Sequence, residues 1–241
     1  MADLSQFEAI RPASAGFRDA TSAAQNLGSI RKAVSEDVFS TLSALLVASP
    51  NPETALNQFE RLVTQQSREV RPLFEKYPAL VHYALVVFGY SPWLGETLIQ
   101  NPDILRLIAR ERSLDRSHAR EEFDESFARF RSRSLEGDEA LLLARFKRRE
   151  YVRILLRDVL GLATLAETTG EISTLSDLLI EEGLRIVNSR LQDRYGPPQQ
   201  LDAGGRLVES RFAVLSLGKL GGSELNYSSD IDLLFLYDTG A

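Results

Sequence analysis

The sequence predicts a mainly α-helical region that is followed by the first strands of an α/β domain. From Glu36 to Tyr195 the apolar residues recur with a helical period. A Gly-Pro-Pro run at 196–198 interrupts that pattern, as is typical of a seam between structural elements. Beyond it, apolar residues cluster in the short stretches that form β-strands. The predicted divisions are a weakly ordered segment at 1–35, a helical domain at 36–205 and the incomplete strands of a second domain at 206–241.

Recurring start signals divide the helical region into separate helices. In four places a possible cap residue is followed by a proline at the start of a helical pattern. Proline is favoured at the first position of a helix, because the backbone N–H there has no partner within the helix. These places are Asn51-Pro52, Tyr77-Pro78, Ser91-Pro92 and Asn101-Pro102. We therefore expect a new helix to begin after each of them.

Further capping signals predict long helices toward the end of this region. Asp138 can cap one of them, because an aspartate side chain accepts hydrogen bonds from the N–H groups of the first turn. The run from Thr164 to Glu167 has the capping-box pattern, in which the two side chains cap each other's backbone. Ser173 is predicted to start another long helix, which ends near Tyr195.

Three strands are predicted after the Gly-Pro-Pro run. They are placed at Arg206–Glu209, Arg211–Leu217 and Ile231–Tyr237, where β-branched, aromatic and other apolar residues are concentrated. The preceding stretch, Gln199–Gly205, is predicted to be a linker because it contains polar residues and glycines.

Four arginines recur every four residues on the helix that follows Asp138, and they are Arg145, Arg149, Arg153 and Arg157. Residues four apart lie on a shared, slowly drifting helix face. One interpretation is that this arginine stripe approaches a phosphate or an acidic partner. The alternative is a solvated face on which the arginines pair with acidic neighbours such as Glu150 and Asp158, and the sequence leaves both open.

Composition narrows the class of protein. The 241 residues include no cysteine, which excludes disulfides and thiolate metal sites, and they carry a net charge of −6. That charge argues against a main partner with a nucleic-acid backbone. No apolar run approaches the roughly 18–20 residues of a membrane helix, and the N-terminus lacks the apolar core of a signal peptide. We therefore expect a cytoplasmic protein with neither a nucleic-acid nor a membrane partner.

The most informative segment is Gly218–Asp238. Within it, Asp230 and Asp232 stand two residues apart at the mouth of an apolar strand. Alternate strand residues point to the same face, so the two carboxylates are predicted to project together. Carboxylate oxygens suit Mg²⁺, and bound Mg²⁺ can stabilise the attacking and leaving oxygens of a phosphoryl transfer.

A glycine turn precedes these aspartates. Gly221 and Gly222 lack a Cβ, so their backbone N–H groups can approach phosphate oxygens. Ser223 adds a hydroxyl group, and Lys219 adds a positive charge. Glycines before a strand often form only a turn. Here the glycines are followed in order by the two aspartates and an apolar strand, and this combination favours a nucleotide site. Neither G-x-x-x-x-G-K-[ST] nor G-x-G-x-x-G occurs, which excludes the P-loop and the dinucleotide fingerprint.

The run GKLGGSELNYSSDIDLLF resembles the signature of the polymerase β-like nucleotidyltransferase superfamily. More narrowly, it is similar to the glutamine synthetase adenylyltransferase/adenylyl-removing enzymes, and ELNYSSDIDL resembles their N-terminal, adenylyl-removing copy. Val87–Leu105 and Leu142–Leu184 resemble the same family, so the likeness covers most of Val87–Asp238. The resemblance implies that the strands begin a polymerase β-like nucleotidyltransferase domain.

The resemblance also implies roles for the motif residues. Asp230 and Asp232 match the family's metal-binding catalytic pair, and Gly221–Ser223 match its phosphate-side loop. The superfamily takes a third carboxylate from a later strand, and none follows before Ala241. Asp238 would lie on the same face of the strand as Asp230 and Asp232. However, six residues along a strand span about 20 Å, so we reject Asp238 as the third ligand. The chain is therefore expected to hold half a metal site and to be inactive by itself.

An activity and partners follow from the same resemblance. The expected reaction is phosphorolysis of an AMP–tyrosine linkage in glutamine synthetase with release of ADP, within a longer bifunctional enzyme whose other copy attaches AMP from ATP. The implied partners are glutamine synthetase, a PII-type signal protein, ATP, ADP and phosphate, and the implied role is control of nitrogen assimilation. Two alternatives stay open, namely another Mg²⁺-dependent nucleotidyltransferase and a helical docking module without catalysis.

Overall fold

The computed structural model describes residues 17–110, 114–134 and 137–238, and this part of the chain is mainly α-helical with short antiparallel strands. The helices are α1 Ala20–Ala33, α2 Glu36–Leu46, α3 Pro52–Gln65, α4 Ser67–Lys76, α5 Ala79–Tyr90, α6 Pro92–Gln100, α7 Asp103–Arg110, α8 Arg120–Arg133, α9 Glu139–Val159, α10 Leu165–Tyr195 and α11 Gly218–Gly221. The strands are β1 Gln199–Leu201, β2 Leu207–Glu209, β3 Phe212–Leu217 and β4 Asp232–Tyr237. The predicted order, helices first and strands afterwards, is confirmed.

The chain divides into two compact units, and neither is a continuous stretch of sequence. The first unit comprises the chain up to Arg116 together with Arg148–Leu162. The second comprises Ser117–Lys147 and the chain from Ala163 onward. This division differs from the predicted one, because helices of the expected helical domain belong to both units and α10 shares a unit with the strands. No helix in the described ranges is long and apolar enough to cross a membrane.

Helix α1 is regular, although weak order is predicted for the segment 1–35. Asp19 caps the helix by accepting hydrogen bonds from two backbone N–H groups, and Leu27 and Ile30 are buried one turn apart. A few apolar residues are therefore enough to anchor α1, because their spacing places them on the helix face that packs against the core. The prediction for residues 1–16 lies outside the described residues.

The other helix starts follow the predicted capping signals. Asn51 accepts a hydrogen bond from Thr54 N–H, and Ser91 accepts one from Leu94 N–H, with proline at the first position of α3 and α6. Helices α5 and α7 begin after the other two proline pairs. Asp138 caps α9 by accepting hydrogen bonds from two N–H groups of its first turn.

Helix α10 is continuous over a longer range than the sequence suggested. It begins at the capping box, in which Thr164 and Glu167 each bond the other's backbone N–H. The predicted new start at Ser173 is wrong, because Ser173 lies inside α10 and its hydroxyl donates to the carbonyl of Thr169, one turn earlier. The helix ends at Gly196, whose φ of +80° favours glycine.

Two separate antiparallel ladders follow α10, one between β1 and β2 and one between β3 and β4. The predicted strand positions are confirmed for β2, β3 and β4. The stretch Gln199–Gly205 is not only a linker, because β1 occupies its start. Asp202 accepts hydrogen bonds from the N–H groups of Gly204 and Arg206 and so closes the turn between β1 and β2. A strand of three residues is too short to show a recognisable alternation of apolar and polar residues in the sequence.

The arginine stripe of α9 is not a continuous solvated face. Arg145 is exposed, whereas Arg153 is buried, and Arg149 and Arg153 both form ion pairs with the buried Glu150. Burial acts to raise the pKa of the Glu150 carboxyl, but the charges and hydrogen bonds of the two arginines more than offset it and hold that pKa below its ordinary value. The predicted pairing with Glu150 is correct, and the predicted solvation of Arg153 is wrong.

Arg157, the last member of the stripe, is only 1% exposed. Its guanidinium donates hydrogen bonds to the carbonyl oxygens of Leu114, at 2.8 Å, and Leu162, at 3.4 Å. Arginine has several donors in a planar fork, which suits a side chain that bonds two backbone segments of the same unit. This part of the stripe is therefore a structural element of the first unit.

Candidate functional site

The glycine turn and the second aspartate lie side by side at one end of the β3–β4 ladder. Leu217, the last residue of β3, pairs with Asp232, the first residue of β4. Gly218 follows with a φ of +56°, and a Cβ atom at Gly218 would lie 3.4 Å from Oδ2 of Asp232. The left-handed backbone favours glycine at this position. The ladder therefore brings the beginning of the turn against the Asp232 carboxylate.

The two predicted loop glycines differ in their surroundings. A Cβ atom at Gly221 would lie 2.5 Å from the carbonyl oxygen of Ser216, which is closer than any side chain can be accommodated without movement of the backbone. A Cβ atom at Gly222 would meet its nearest neighbour, the carbonyl oxygen of Gly218, at 3.6 Å, an ordinary contact distance. Close packing thus requires glycine at Gly221 but not at Gly222.

Backbone hydrogen bonds close the turn behind these glycines. The N–H groups of Gly222 and Ser223 donate to the carbonyls of Gly218 and Leu220, at 3.1 and 3.0 Å. Ser223 has a φ of +58°, which is uncommon for a residue other than glycine. Lys219 and Ser223 are both exposed, whereas Leu220 is buried and fixes α11 against the unit. The turn therefore presents a lysine and a serine to solvent beside Asp232.

The loop that leads to the aspartates is held by its own side chains. Oδ1 of Asn226 accepts hydrogen bonds from Ser228 N–H and from Ser229 Oγ, and Ser229 Oγ accepts one from Asn226 N–H. Asp230 comes directly after this loop, and β4 begins only at Asp232. The structure therefore places one aspartate at the end of an ordered loop and the other at the start of the strand.

The chemistry of the two aspartates fits Mg²⁺. Both Asp230 and Asp232 are exposed, and two carboxylates with open solvent around them suit an ion that keeps several waters and takes one or two protein carboxylates. Across the described ranges, no group of three or more histidine, aspartate or glutamate side chains is arranged to hold a metal ion. Asp238 stands at the opposite end of β4, where it forms an ion pair with Arg211, and it takes no part in this pair.

Helix α10 supports the motif through a residue whose role sequence reasoning missed. Ser173 accepts a hydrogen bond from Leu225 N–H in the loop before β4. On the same helix, burial raises the pKa of Asp177, although the nearby Arg120 acts in the opposite direction. Other buried residues of α10 are polar as well, so the sequence carried no signal that singled out Ser173.

Comparison with known proteins places these features in a family. Residues 81–241 match the family model described as glutamate-ammonia ligase adenylyltransferase. The chain is 28% identical to the bifunctional glutamine synthetase adenylyltransferase/adenylyl-removing enzyme of Thioalkalivibrio sulfidiphilus, in an alignment that covers 94% of this chain and 25% of that protein. The enzymes of the same name from Burkholderia mallei and Pseudomonas aeruginosa are 31% and 35% identical, over 79% and 64% of this chain and 20% and 16% of theirs. The chain thus spans a quarter or less of the length of these relatives.

Proposed function

The chain belongs to the glutamate-ammonia ligase adenylyltransferase family, and from that membership we propose that Gly218–Asp232 forms part of a Mg²⁺-dependent nucleotidyl-transfer site that acts on glutamine synthetase. The observation that carries the proposal is the approach of Gly218 to the Asp232 carboxylate, where a Cβ atom would lie 3.4 Å from Oδ2. A nucleotide site needs backbone that phosphate can approach beside a carboxylate that can hold the metal ion. The β3–β4 ladder supplies both within one turn.

Within that chemistry we propose the adenylyl-removing reaction, because ELNYSSDIDL resembles the adenylyl-removing copy of the family. An oxygen of inorganic phosphate forms a bond to the phosphorus of the AMP group. The bond between that phosphorus and the tyrosine oxygen breaks, and the tyrosine oxygen takes up a proton. The products are ADP and unmodified tyrosine, so no oxidant, reductant or further reactant is required.

Each motif residue has a proposed part in this reaction. Asp230 and Asp232 hold Mg²⁺, which supplies positive charge to the phosphoryl group when it is bound. Gly221, Gly222 and Ser223 line the phosphate side of the nucleotide, and Lys219 adds a positive charge there. Phosphoryl transfer depends mainly on positioning and electrostatics, so this set of residues needs neither a histidine nor a cysteine.

Partners follow from the same family membership. We propose adenylylated glutamine synthetase as the protein substrate and a PII-type signal protein as a regulatory partner, with control of nitrogen assimilation as the role. The net charge of −6 supports a protein or nucleotide substrate over a nucleic-acid one, since nucleic-acid affinity comes largely from lysine and arginine contacts to phosphates.

The test measures phosphate-dependent ADP formation from adenylylated glutamine synthetase by the complete gene product. Replacing both metal-binding aspartates, Asp230→Asn with Asp232→Asn, should lower the rate about 100-fold or more, because the metal ion contributes several kcal/mol to transition-state stabilisation. The matched control is Asp238→Asn, which changes a carboxylate on the same strand that pairs with Arg211 instead. Its rate should stay close to that of the unaltered protein.

The outcomes separate the proposal from its rivals. An unchanged rate in the double variant contradicts the assigned metal site. Transfer of labelled AMP from ATP to some other substrate, with no ADP released from glutamine synthetase, favours a different nucleotidyltransferase. Binding of glutamine synthetase without any ADP formation by the unaltered protein favours the docking module.

A further inference from the structure

A buried serine of α10, Ser173, contacts the chain just beyond the glycine turn. Its hydroxyl accepts a hydrogen bond from the backbone N–H of Leu225, which lies two residues after Ser223. We call this contact the α10 clamp.

The α10 clamp is formed by a buried and oriented hydroxyl. Ser173 is 2% exposed, and its Oγ donates to the carbonyl of Thr169 at 2.8 Å. That bond directs the oxygen's free lone pairs away from the helix, where Oγ accepts the N–H of Leu225 at 3.1 Å. Leu225 is also 2% exposed, so the side chain and backbone of this loop residue are both held in the interior of the unit. A buried N–H without such an acceptor is costly.

The glycine turn lies between the α10 clamp and β3. The carbonyl oxygen of Ser216 in β3 is the atom against which Gly221 packs, at a distance that leaves no room for a Cβ. The turn is therefore packed against β3, and the chain just after it is held by Ser173.

From these contacts we propose that Ser173 is a positioning residue for nucleotide binding, which holds the chain after the Gly218–Ser223 turn so that the turn stays against Asp232. The proposal rests on the proposed function. Ser173 acts through the backbone at Leu225 and has no role in the reaction itself. Loosening this contact lets the turn move away from the carboxylate and lowers the affinity for nucleotide.

A matched control separates positioning from simple helix stability. Ser176 is also buried on α10, and its hydroxyl donates to the carbonyl of Ile172 in the same manner as Ser173 donates to that of Thr169. Ser173→Ala and Ser176→Ala therefore remove the same group and the same intrahelical bond. Only the first of these two substitutions removes the acceptor for Leu225 N–H.

The first measurement is amide hydrogen exchange on the 241-residue chain, which needs no activity. In Ser173→Ala, the Leu225 amide should exchange about fivefold faster than in the unaltered chain, because about 1 kcal/mol of hydrogen bonding is lost. In Ser176→Ala it should exchange at the original rate. Equal rates in the two serine variants would overturn the proposal.

The second measurement is the affinity for ADP in the presence of Mg²⁺. Its Kd should rise about five- to tenfold in Ser173→Ala and should stay unchanged in Ser176→Ala. Faster exchange with unchanged ADP affinity would overturn the positioning role. If the unaltered protein does not bind ADP, the proposed function fails, and the exchange rates then decide whether the α10 clamp holds the turn.

Discussion

Gly221 packs directly against the carbonyl oxygen of Ser216, so that a Cβ atom at Gly221 would lie 2.5 Å from that oxygen. Ser216 immediately precedes Leu217, the residue that pairs with Asp232 across the ladder. The position of the glycine turn is therefore tied through one backbone contact to the strand pair that carries the aspartate. A substitution at Gly221 displaces the turn relative to Asp232.

Neighbouring glycines should respond differently to the same substitution. Gly221→Ala should lower the free energy of unfolding by about 1–3 kcal/mol, since an extra methyl group forces the backbone to shift. Gly222→Ala should change it by no more than about 0.5 kcal/mol, because the nearest atom would lie 3.6 Å away and the φ of −88° suits any residue. Denaturant unfolding of the two variants checks this, and equal losses would contradict the packing argument.

The buried carboxylate of Glu150 should be essential to the first unit. Glu150→Gln removes the buried carboxylate with which Arg149 and Arg153 pair, and removal of one partner from a buried ion pair costs about 3–5 kcal/mol. The control is Glu36→Gln, which breaks an exposed pair with Arg31 and should cost at most about 1 kcal/mol. Chemical denaturation measures both losses, and a small loss at Glu150 would show that its charge is not needed.

A pH dependence follows from the same carboxylate. The pKa of Glu150 lies below its ordinary value of 4.5 in the folded chain. An acid of this kind stabilises the fold above the unfolded-state pKa, and that stabilisation is lost as the pH falls through the folded-state pKa. Below pH 4.5, the free energy of unfolding should therefore fall more steeply in the unaltered chain than in Glu150→Gln. Parallel pH profiles of the two proteins would refute this.

Arg157 should not tolerate lysine, although the charge is kept. A lysine ammonium lacks the planar fork with which Arg157 bonds the carbonyls of Leu114 and Leu162. Arg157→Lys should therefore cost about 1–3 kcal/mol of stability. Arg145→Lys, at the exposed end of the same stripe, should stay within about 0.5 kcal/mol. Thermal melting of the two variants measures the difference, and similar shifts would argue against a structural role for Arg157.

The arginine stripe shows where sequence reasoning stops. A spacing of four residues correctly placed the arginines along one helix, and Glu150 was a correct partner for two of them. The spacing contained no information on how deeply each side chain is buried, because the same period of four includes the exposed Arg145 and the buried Arg157. Burial depends on what packs against the helix, which for Arg157 includes backbone at Leu114, 43 residues away in the sequence.

Local chemistry was enough to predict most of the helix caps and the order of helices and strands, since each depends on residues within a few positions of one another. Only the tertiary structure decided the continuity of α10 through Ser173, the approach of Gly218 to Asp232, and the support of the chain beyond that turn by Ser173. These features join residues that are distant in the sequence. They arise when strands pair and a helix packs beside them, because buried donors and acceptors must then find partners wherever the fold places them.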